Sequence, residues 1–476
     1  MNELNIFVFD DEWNNFKRRF AQIKYIGGQR VSFDGLKWDK KEPIEYNLKE
    51  GINTVLGMEN GDISFNVILL DVYFGELPSA YECFNPLPDF DPPLNSKLID
   101  ELYGSGLPVI ILTQSKKHEH VYKAGSYKLP YISKEKLYSE KTDDMDSFKR
   151  ELADQVNKVI NNPRFNTHTL EAENKFALNY DKDELHSPAT LATILWENDR
   201  VVEAAKIIIN EYAEKLKVLD IGSGTGRFEE LLLTHSDISH HIEYIVATDF
   251  APQYHIKAKE RLKSLGINFE NAIIFKRRIA EDIRFPEETF DLVLVAFGVP
   301  CFSDYRKSIP QAYRVLKKGG VAVFTVYNSD SLVYDFNKFR YTSYGANESF
   351  FCAEIDRKKK IMYLPGGYSF PCNTFTVSEF ETELSRAGFF IPESGKDSIE
   401  TFPLLYGCVK RENYQGLVKS TKKLSKGIVS YKSKELEKDQ CNSGFSKLFY
   451  NMDKNISDII KNRGHYINAI VVKPRR

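Results

Sequence analysis

Short runs of Val, Ile, Leu and Phe recur along this chain and alternate with segments of helical periodicity. The first series reads NIFVF, NVILLD, PVIILT and LPYIS, with LNSKLIDELYG and DSFKRELADQVNKVI as helical patterns. The second opens on VVEAAKIIINEYAEKL and continues through KVLDIG, IEYIVATD, NAIIFK, FDLVLVAF and GGVAVFTVY. Uniformly apolar strands separated by helices imply right-handed crossovers and a parallel sheet covered on both faces. Between the series lies Asn161-Asn162-Pro163 and then the polar segment RFNTHTLEAENKFALNYDKDELHSP, which carries neither period. The pattern predicts two doubly wound three-layer α/β/α domains, over 1–163 and 186–476, joined by a linker at 164–185. Two segments are expected to interrupt the first domain: roughly 30–60, with weak periodicity, and FGELPSAYECFNPLPDFDPPLN, whose prolines forbid a regular element.

Composition narrows the function classes. A net charge of -2 gives no global attraction to nucleic acid or anionic membrane. No apolar run approaches membrane-spanning length, and the N-terminal MNELNIFVFDDEW lacks the layout of a secretory signal, so the expected location is cytoplasmic. The six cysteines, without a CxxC pair, point to free thiols, not to a disulfide framework or structural zinc.

Chemistry in open parallel sheets gathers beyond the carboxyl ends of the strands. In the first half those ends carry Asp10 and Asp11 after NIFVF, Asp71 after NVILL, Thr113 after VIIL and Lys134 after PYIS. Crowded carboxylates need a cation or a proton, and this oxygen-rich set suits Mg²⁺. With a metal in place, Asp71 could attack a phosphoryl group while Lys134 and Thr113 hold its oxygens.

This constellation resembles the receiver domain of two-component response regulators, over about residues 1–163. The resemblance implies a flavodoxin-like fold, Asp10 and Asp11 as the acidic metal pair, Asp71 as phosphoacceptor and metal ligand, and the Tyr73 carbonyl as a third ligand. It implies Thr113 as the switch hydroxyl, Lys134 as the paired lysine, Tyr131 as a mobile aromatic, and a histidine kinase or other phosphodonor as partner. Gln114 departs from the small residue usual after the hydroxyl.

The second half contains KVLDIGSGTGRFEELL, an apolar strand leading into Asp220, then Gly222, Ser223, Gly224 and Gly226, then an amphipathic helix. Glycines here let a ligand lie against bare backbone at a helix N-terminus. The GxGxG spacing resembles motif I of class I S-adenosylmethionine (SAM) methyltransferases, which implies a Rossmann-like seven-stranded sheet and SAM as cofactor. By that resemblance Asp220 or the loop carbonyls face the methionyl ammonium, Asp249 and Phe250 follow the second strand at the ribose, Ala280 and Glu281 lie at the adenine, and Phe297 lines the methyl site. Further likeness runs in order through Phe290-Asp291, the helix and turn at Leu316, Lys317, Gly319 and Gly320, FTVSEFETELSRAGF, and HYINAIVVKP as final strand. Where the family often has Gly-Asp, this chain has Arg278 and Ile279, which shifts the adenine acceptor to Glu281 or Asp282.

Methyl transfer from a sulfonium is an in-line displacement that needs positioning and a dry site more than a dedicated base. Pro300-Cys301 is similar to the nucleophile dipeptide of cytosine-5 methyltransferases, but the remaining motifs of that family are not evident, and packing is the better reading of Cys301. The absence of Asp-Pro-Pro-Tyr or Asn-Pro-Pro-Tyr after the fourth strand lowers the case for an adenine-N6 enzyme. His118-Glu119-His120, His240-His241 and Lys358-Lys359-Lys360 read as exposed turns, and the basic, aromatic-laced 409–450 segment as a lid ahead of a nucleic-acid grip. The sequence thus predicts a receiver whose output is a methyltransferase, with a small-molecule or protein acceptor and no membrane partner. Nucleic acid as acceptor, a non-catalytic SAM-binding module, and a homodimer stay open as alternatives.

Overall fold

The structure is a computed structural model that describes residues 3–10, 13–26, 28–35, 44–58, 66–71, 102–113, 129–133, 135–139, 141–160, 170, 173–174, 177–178, 188–211, 215–296, 298–331, 343–344, 350–351, 354–356, 358–364, 368–392, 398–402 and 462–475. Contacts divide the chain into two units. One comprises Met1–Asn174 with Phe250–Ile256 and Lys276–Ile279; the other comprises Lys175–Asp249, Lys257–Phe275 and Ala280–Arg476. The units are therefore not simple successive stretches of sequence.

In the first unit the described elements are β1 (Glu3–Phe9), α1 (Trp13–Phe20), β2 (Tyr25–Ile26), β3 (Gln29–Gly35), α2 (Ile44–Leu56), β4 (Val67–Asp71), β5 (Val109–Thr113), β6 (Tyr131–Ser133), α3 (Glu135–Tyr138) and α4 (Thr142–Ile160). The sheet order is β2-β3-β1-β4-β5-β6. All neighbours pair in parallel except β2, which makes an antiparallel hairpin with β3. Because the pleat sends alternate side chains to opposite faces, Leu4, Ile6 and Val8 enter one core layer with Phe20, Phe148, Leu152 and Val156 from the helices. Phe7, of opposite parity, is also buried, so both faces are covered.

The 30–60 region corrects the sequence reading: it interrupts nothing, since it supplies β3 and α2 of the regular alternation. β3 was hidden because its outward positions stay wet and only Val31 and Gly35 are buried, so QRVSFDG lacks the apolar run of a central strand. The proline-rich 74–95 segment lies outside the described residues.

The second unit contains α5 (Pro188–Glu211), β7 (Leu216–Ile221), α6 (Arg227–Thr234), β8 (Ile242–Asp249), α7 (Pro252–Ser264, whose first turn belongs to the other unit), β9 (Ile273–Arg277, whose last two residues do likewise), β10 (Phe290–Val295), α8 (Val299–Phe302), α9 (Tyr305–Val315) and β11 (Leu316–Tyr327). Two small sheets follow, β12 (Ser343–Tyr344) with β13 (Phe350–Phe351), and β14 (Glu354–Asp356) with β15 (Ile361–Leu364) and β16 (Tyr368–Pro371). Then come α10 (Val377–Ala387), β17 (Ile399–Phe402) and β18 (Tyr466–Val472).

The seven strands stand in the order β9-β8-β7-β10-β11-β18-β17. Numbered within the sheet in chain order, that is 3-2-1-4-5-7-6, with β18 antiparallel to both neighbours. The direction of the chain reverses either side of β7, and this is the switch point at which open α/β sheets bind ligands. All six residues of β10 are buried, as a central parallel strand requires. The expected Leu-Lys-x-Gly-Gly turn is instead the start of β11: the strand begins at Leu316, with Gly319 at φ +79° and a register shift between Phe290 and Leu292 opposite. A glycine can take that bulge conformation without strain.

A buried polar network fixes the antiparallel end of this sheet. Arg200 of α5, 2% exposed, donates from Nε to Asn468 Oδ1 at 3.0 Å, from one terminal nitrogen to Glu203 and Glu400, and from the other to the Ser398 carbonyl at 2.9 Å. Trp196 Nε1 donates to Glu400 at 3.0 Å, and Asn468 Nδ2 donates to Thr325 Oγ1 at 3.0 Å. One guanidinium thereby links α5 to β17 and β18, and through Asn468 to β11. Arg200→Ala is expected to lower the unfolding free energy by about 2–3 kcal/mol, since it leaves the buried Asn468 amide oxygen and the Ser398 carbonyl without their donor and unpairs the half-buried Glu400; a urea titration followed by circular dichroism checks it.

Candidate functional site

The strand β7 ends in Asp220 and Ile221 at the switch point, and the chain turns at once through Gly222, Gly224 and Gly226, with φ of +75°, +54° and +81°. These left-handed angles suit glycine and few other residues. The turn is pinned to the neighbouring strand, because the amides of Gly222 and Ser223 both donate to the Thr248 carbonyl, at 2.7 and 2.9 Å. Thr248 Oγ1 returns a bond to the Asp220 carbonyl at 3.0 Å.

The three glycines serve different ends. A Cβ on Gly222 would lie 2.3 Å from Val299 Cγ2, and one on Gly226 would lie 2.8 Å from the Ala258 Cβ. Those positions are bare so that α8 and α7 can pack closely. A Cβ on Gly224 would meet nothing within 4 Å. The backbone that a ligand could lie against is thus at Gly224; of the bare turn the sequence suggested from Gly222 to Gly226, the first glycine is closed off by Val299 and the last by Ala258.

Around Gly224 the structure gathers polar groups. Asp249, at the end of β8 and 6% exposed, accepts the Gly224 amide at 3.1 Å. Phe250 follows it, half-buried, with its carbonyl taking a bond from Arg277 Nε at 2.9 Å. Below the loop Asp220 is 1% exposed and Glu229, in the first turn of α6, is fully buried. Among the described residues, no other residue donates a hydrogen bond to either carboxyl or to the Ser223 hydroxyl; the two acids interact with each other, and the Glu229 backbone acts on its own carboxyl. Burial and the facing Glu229 raise the Asp220 carboxyl well above the ordinary range. Burial pushes Glu229 up to about 7. Glu229 lies in KVLDIGSGTGRFEELL but was not singled out from sequence; its signal is the helical offset of three to buried Leu232, which puts it on the inward face.

At the expected adenine edge, Ala280 and Glu281 lie half-buried in a turn after β9. Both proposed acceptors there are already engaged: Glu281 Oε1 accepts the Asp304 amide at 2.8 Å, and Asp282 pairs with Arg284, one contact being 2.7 Å. Asp291 sits at the opposite, amino end of β10, where it accepts Lys317 Nζ at 2.9 Å and the Lys217 amide at 3.0 Å; its work is holding strand starts together. Phe297 lies outside the described residues.

Past β10 and β11, aromatic rings collect at the carboxyl edge. Phe302 packs edge-on to Tyr327 at 5.9 Å, and Tyr327 meets His465 and Tyr466 at 5.6 and 5.1 Å. Burial lowers the His465 imidazole to about 3, so it stays neutral at ordinary pH. Cys301 is fully buried, its Sγ takes the Tyr327 amide at 3.2 Å, and burial raises its thiol well above the usual range. A thiol so placed is a packing group and not a nucleophile.

In the first unit, the parallel register brings the ends of β1, β4, β5 and β6 to one edge. Phe9 pairs with Leu70, Asp71 with Leu112, and Thr113 with Ser133. Asp10, just beyond β1, is fully buried. Asp71 and Thr113 are terminal strand positions whose side chains are not described, while Asp11, Tyr73, Gln114 and Lys134 lie outside the described residues, as do His118-Glu119-His120 and the 409–450 segment. Among the described residues no group of three or more potential ligands is placed to hold a metal ion, and no helix is long and apolar enough to cross a membrane.

Residues 194–349 match the model of the ubiE/COQ5 methyltransferase family. Relatives include 2-methyl-6-phytyl-1,4-hydroquinone methyltransferase 1 of Oryza sativa subsp. japonica, 33% identical over 124 residues, or 26% of this chain and 33% of that protein. The demethylmenaquinone methyltransferase of Thermus thermophilus is 34% identical over 104 residues, 22% and 44% of the two chains. The ubiquinone/menaquinone biosynthesis C-methyltransferase UbiE of Psychromonas ingrahamii is 33% identical over 128 residues, 26% and 49%. The chain thus spans about a third to a half of the length of these curated relatives. Residues 194–349 carry a methyltransferase domain of the ubiE/COQ5 type, on the α/β sheet described above.

The raised carboxyls make ligand-free stability depend on pH. Glu229 has a folded value above its unfolded one, so the stability it contributes is fully present below about pH 4.5 and is lost as pH rises through about 7. The thermal midpoint should therefore fall between pH 5 and pH 8, and Glu229→Gln should flatten that fall, as differential scanning fluorimetry can read.

Proposed function

We propose that this chain transfers a methyl group from SAM to a ring carbon of a hydroquinone-like acceptor. The observation that carries the reading is the bare backbone at Gly224, open to space and bonded to Asp249, in the same turn that follows the buried Asp220, inside the 194–349 match. The residues present fit the cofactor: Asp249 suits ribose hydroxyls, Asp220 a methionyl ammonium, and Gly224 the close approach of a chain with no side chain in the way. Bound there, SAM would supply an electrophilic methyl carried on a sulfonium. The protein's own contribution is to orient and to exclude water. The rings of Phe302, Tyr327 and Tyr466 support a flat apolar acceptor, and the matched relatives are named for hydroquinone, menaquinone and ubiquinone substrates.

We also propose that the first unit is a receiver, with Asp71 as phosphoacceptor, Thr113 and Lys134 at the phosphoryl oxygens, and Mg²⁺ held by Asp10, Asp11, Asp71 and the Tyr73 carbonyl. Supporting it are the parallel order β3-β1-β4-β5-β6, which in chain order is the 2-1-3-4-5 arrangement of doubly wound flavodoxin-like sheets, and the register that aligns the ends of β1, β4, β5 and β6. A histidine kinase or other phosphodonor would be the partner. Coupling to methyl transfer requires that the two phosphorylation states differ in their effect on the other unit.

Two measurements test these readings. Gly224→Ala should cost about 1 kcal/mol of stability, because a side chain resists φ of +54°, while SAM affinity by calorimetry falls at least about tenfold as the Cβ enters the hollow; unchanged affinity would remove SAM from this site. Incubation with acetyl phosphate and Mg²⁺ should add one acid-stable, base-labile phosphoryl group to the wild type and none to Asp71→Asn, read by intact mass; equal labelling of both would remove Asp71 from the reading.

A further inference from the structure

Two buried acids beneath the glycine loop have no role in binding ribose or in the displacement itself. Asp220 lies at the end of β7 and Glu229 in the first turn of α6; they face each other, and among the described residues no donor from any other residue satisfies their four oxygens. Arg227 and Arg261 act on the pair and favour its ionised form, less than burial opposes it, and each is also paired with another acid. Arg227, on the same helix, pairs with Glu197 of α5 at 2.7 Å; Arg261 of α7 pairs with Glu230 at 2.6 Å; and Asp249 of β8, which accepts the Gly224 amide, adds a third negative charge. Two ionised carboxylates cannot share a dry space without a counter-charge, so the pair must hold either a proton or a cation.

We propose that Asp220 and Glu229 hold one proton between them in the ligand-free protein and release it to solvent when the ammonium group of a methionyl-type ligand takes its place. The inference rests on reading the pocket as the SAM site and adds to it a residue, Glu229, and a proton exchange. The charge balances: one positive charge enters as the ammonium and one leaves as the proton, and no bond to carbon is made or broken. Ligand and proton then compete for one position, so affinity should rise as pH rises.

The test is calorimetry of the full chain with S-adenosylhomocysteine, which keeps the amino-acid end, and with 5′-methylthioadenosine, which lacks it, at pH 6.5 in two buffers of different ionisation enthalpy. Release of a proton with the first and none with the second is expected, and Glu229→Gln should reduce both the release and the affinity for the first ligand. Equal release with both ligands, or none with either, overturns the proposal, and this comparison needs no variant should Glu229→Gln fail to fold. Failure of both ligands to bind would overturn the SAM reading itself, a different result from binding without proton exchange.

Discussion

A parallel sheet must be covered on both faces, and that single requirement decides where this chain can place its chemistry. In the parallel part of each sheet a strand is followed by a crossover that leaves from its carboxyl end, so the turns that open on those ends stand on one edge. In the second unit that edge holds the glycine turn after β7, Asp249 after β8 and the aromatic cluster after β10 and β11. The opposite edge carries structural pairs such as Asp291 with Lys317, where a charge ties strand starts together and nothing needs to approach.

The glycine turn shows how packing and ligand access compete within a few residues. Two of its three glycines are bare because neighbouring helices press against them, through Val299 and Ala258, and the third is bare towards open space. Packing fixes the turn rigidly, with two amides on the Thr248 carbonyl. Rigidity of that kind is what lets one exposed backbone stretch and one pair of buried acids hold a defined position without a ligand present. The polar network around Arg200 does the same for the far end of the sheet, where an antiparallel strand would otherwise have only its ladder to set its register.

Much of this was readable in the residues. The alternation KVLDIG, IEYIVATD, FDLVLVAF, GGVAVFTVY announced central parallel strands because buried strands need apolar side chains on both faces, and the helix in FTVSEFETELSRAGF was framed by its own chemistry, a Thr376–Glu379 capping box and Gly388 at φ +103°. Edge elements were harder. β3 was missed because a strand near the margin keeps half its side chains wet, and the first residues of β11 were taken for a turn because Gly319 marks a bulge as readily as a loop. At the site, Asp220 and Gly224 could be picked out by spacing, whereas Glu229 looked like an ordinary charge on an amphipathic helix.

Sequence by itself determined the two series of strands, the glycine turn and the acids at strand ends, because periodicity and backbone permissiveness are local properties of a chain. Only the tertiary structure decided which of those glycines faces a helix and which faces open space, that Glu281 and Asp282 are already engaged, and that Asp220 and Glu229 are buried facing each other. Those outcomes depend on distances between residues far apart in the chain, and a carboxyl's protonation is set by its neighbours and its burial, neither of which a linear pattern contains.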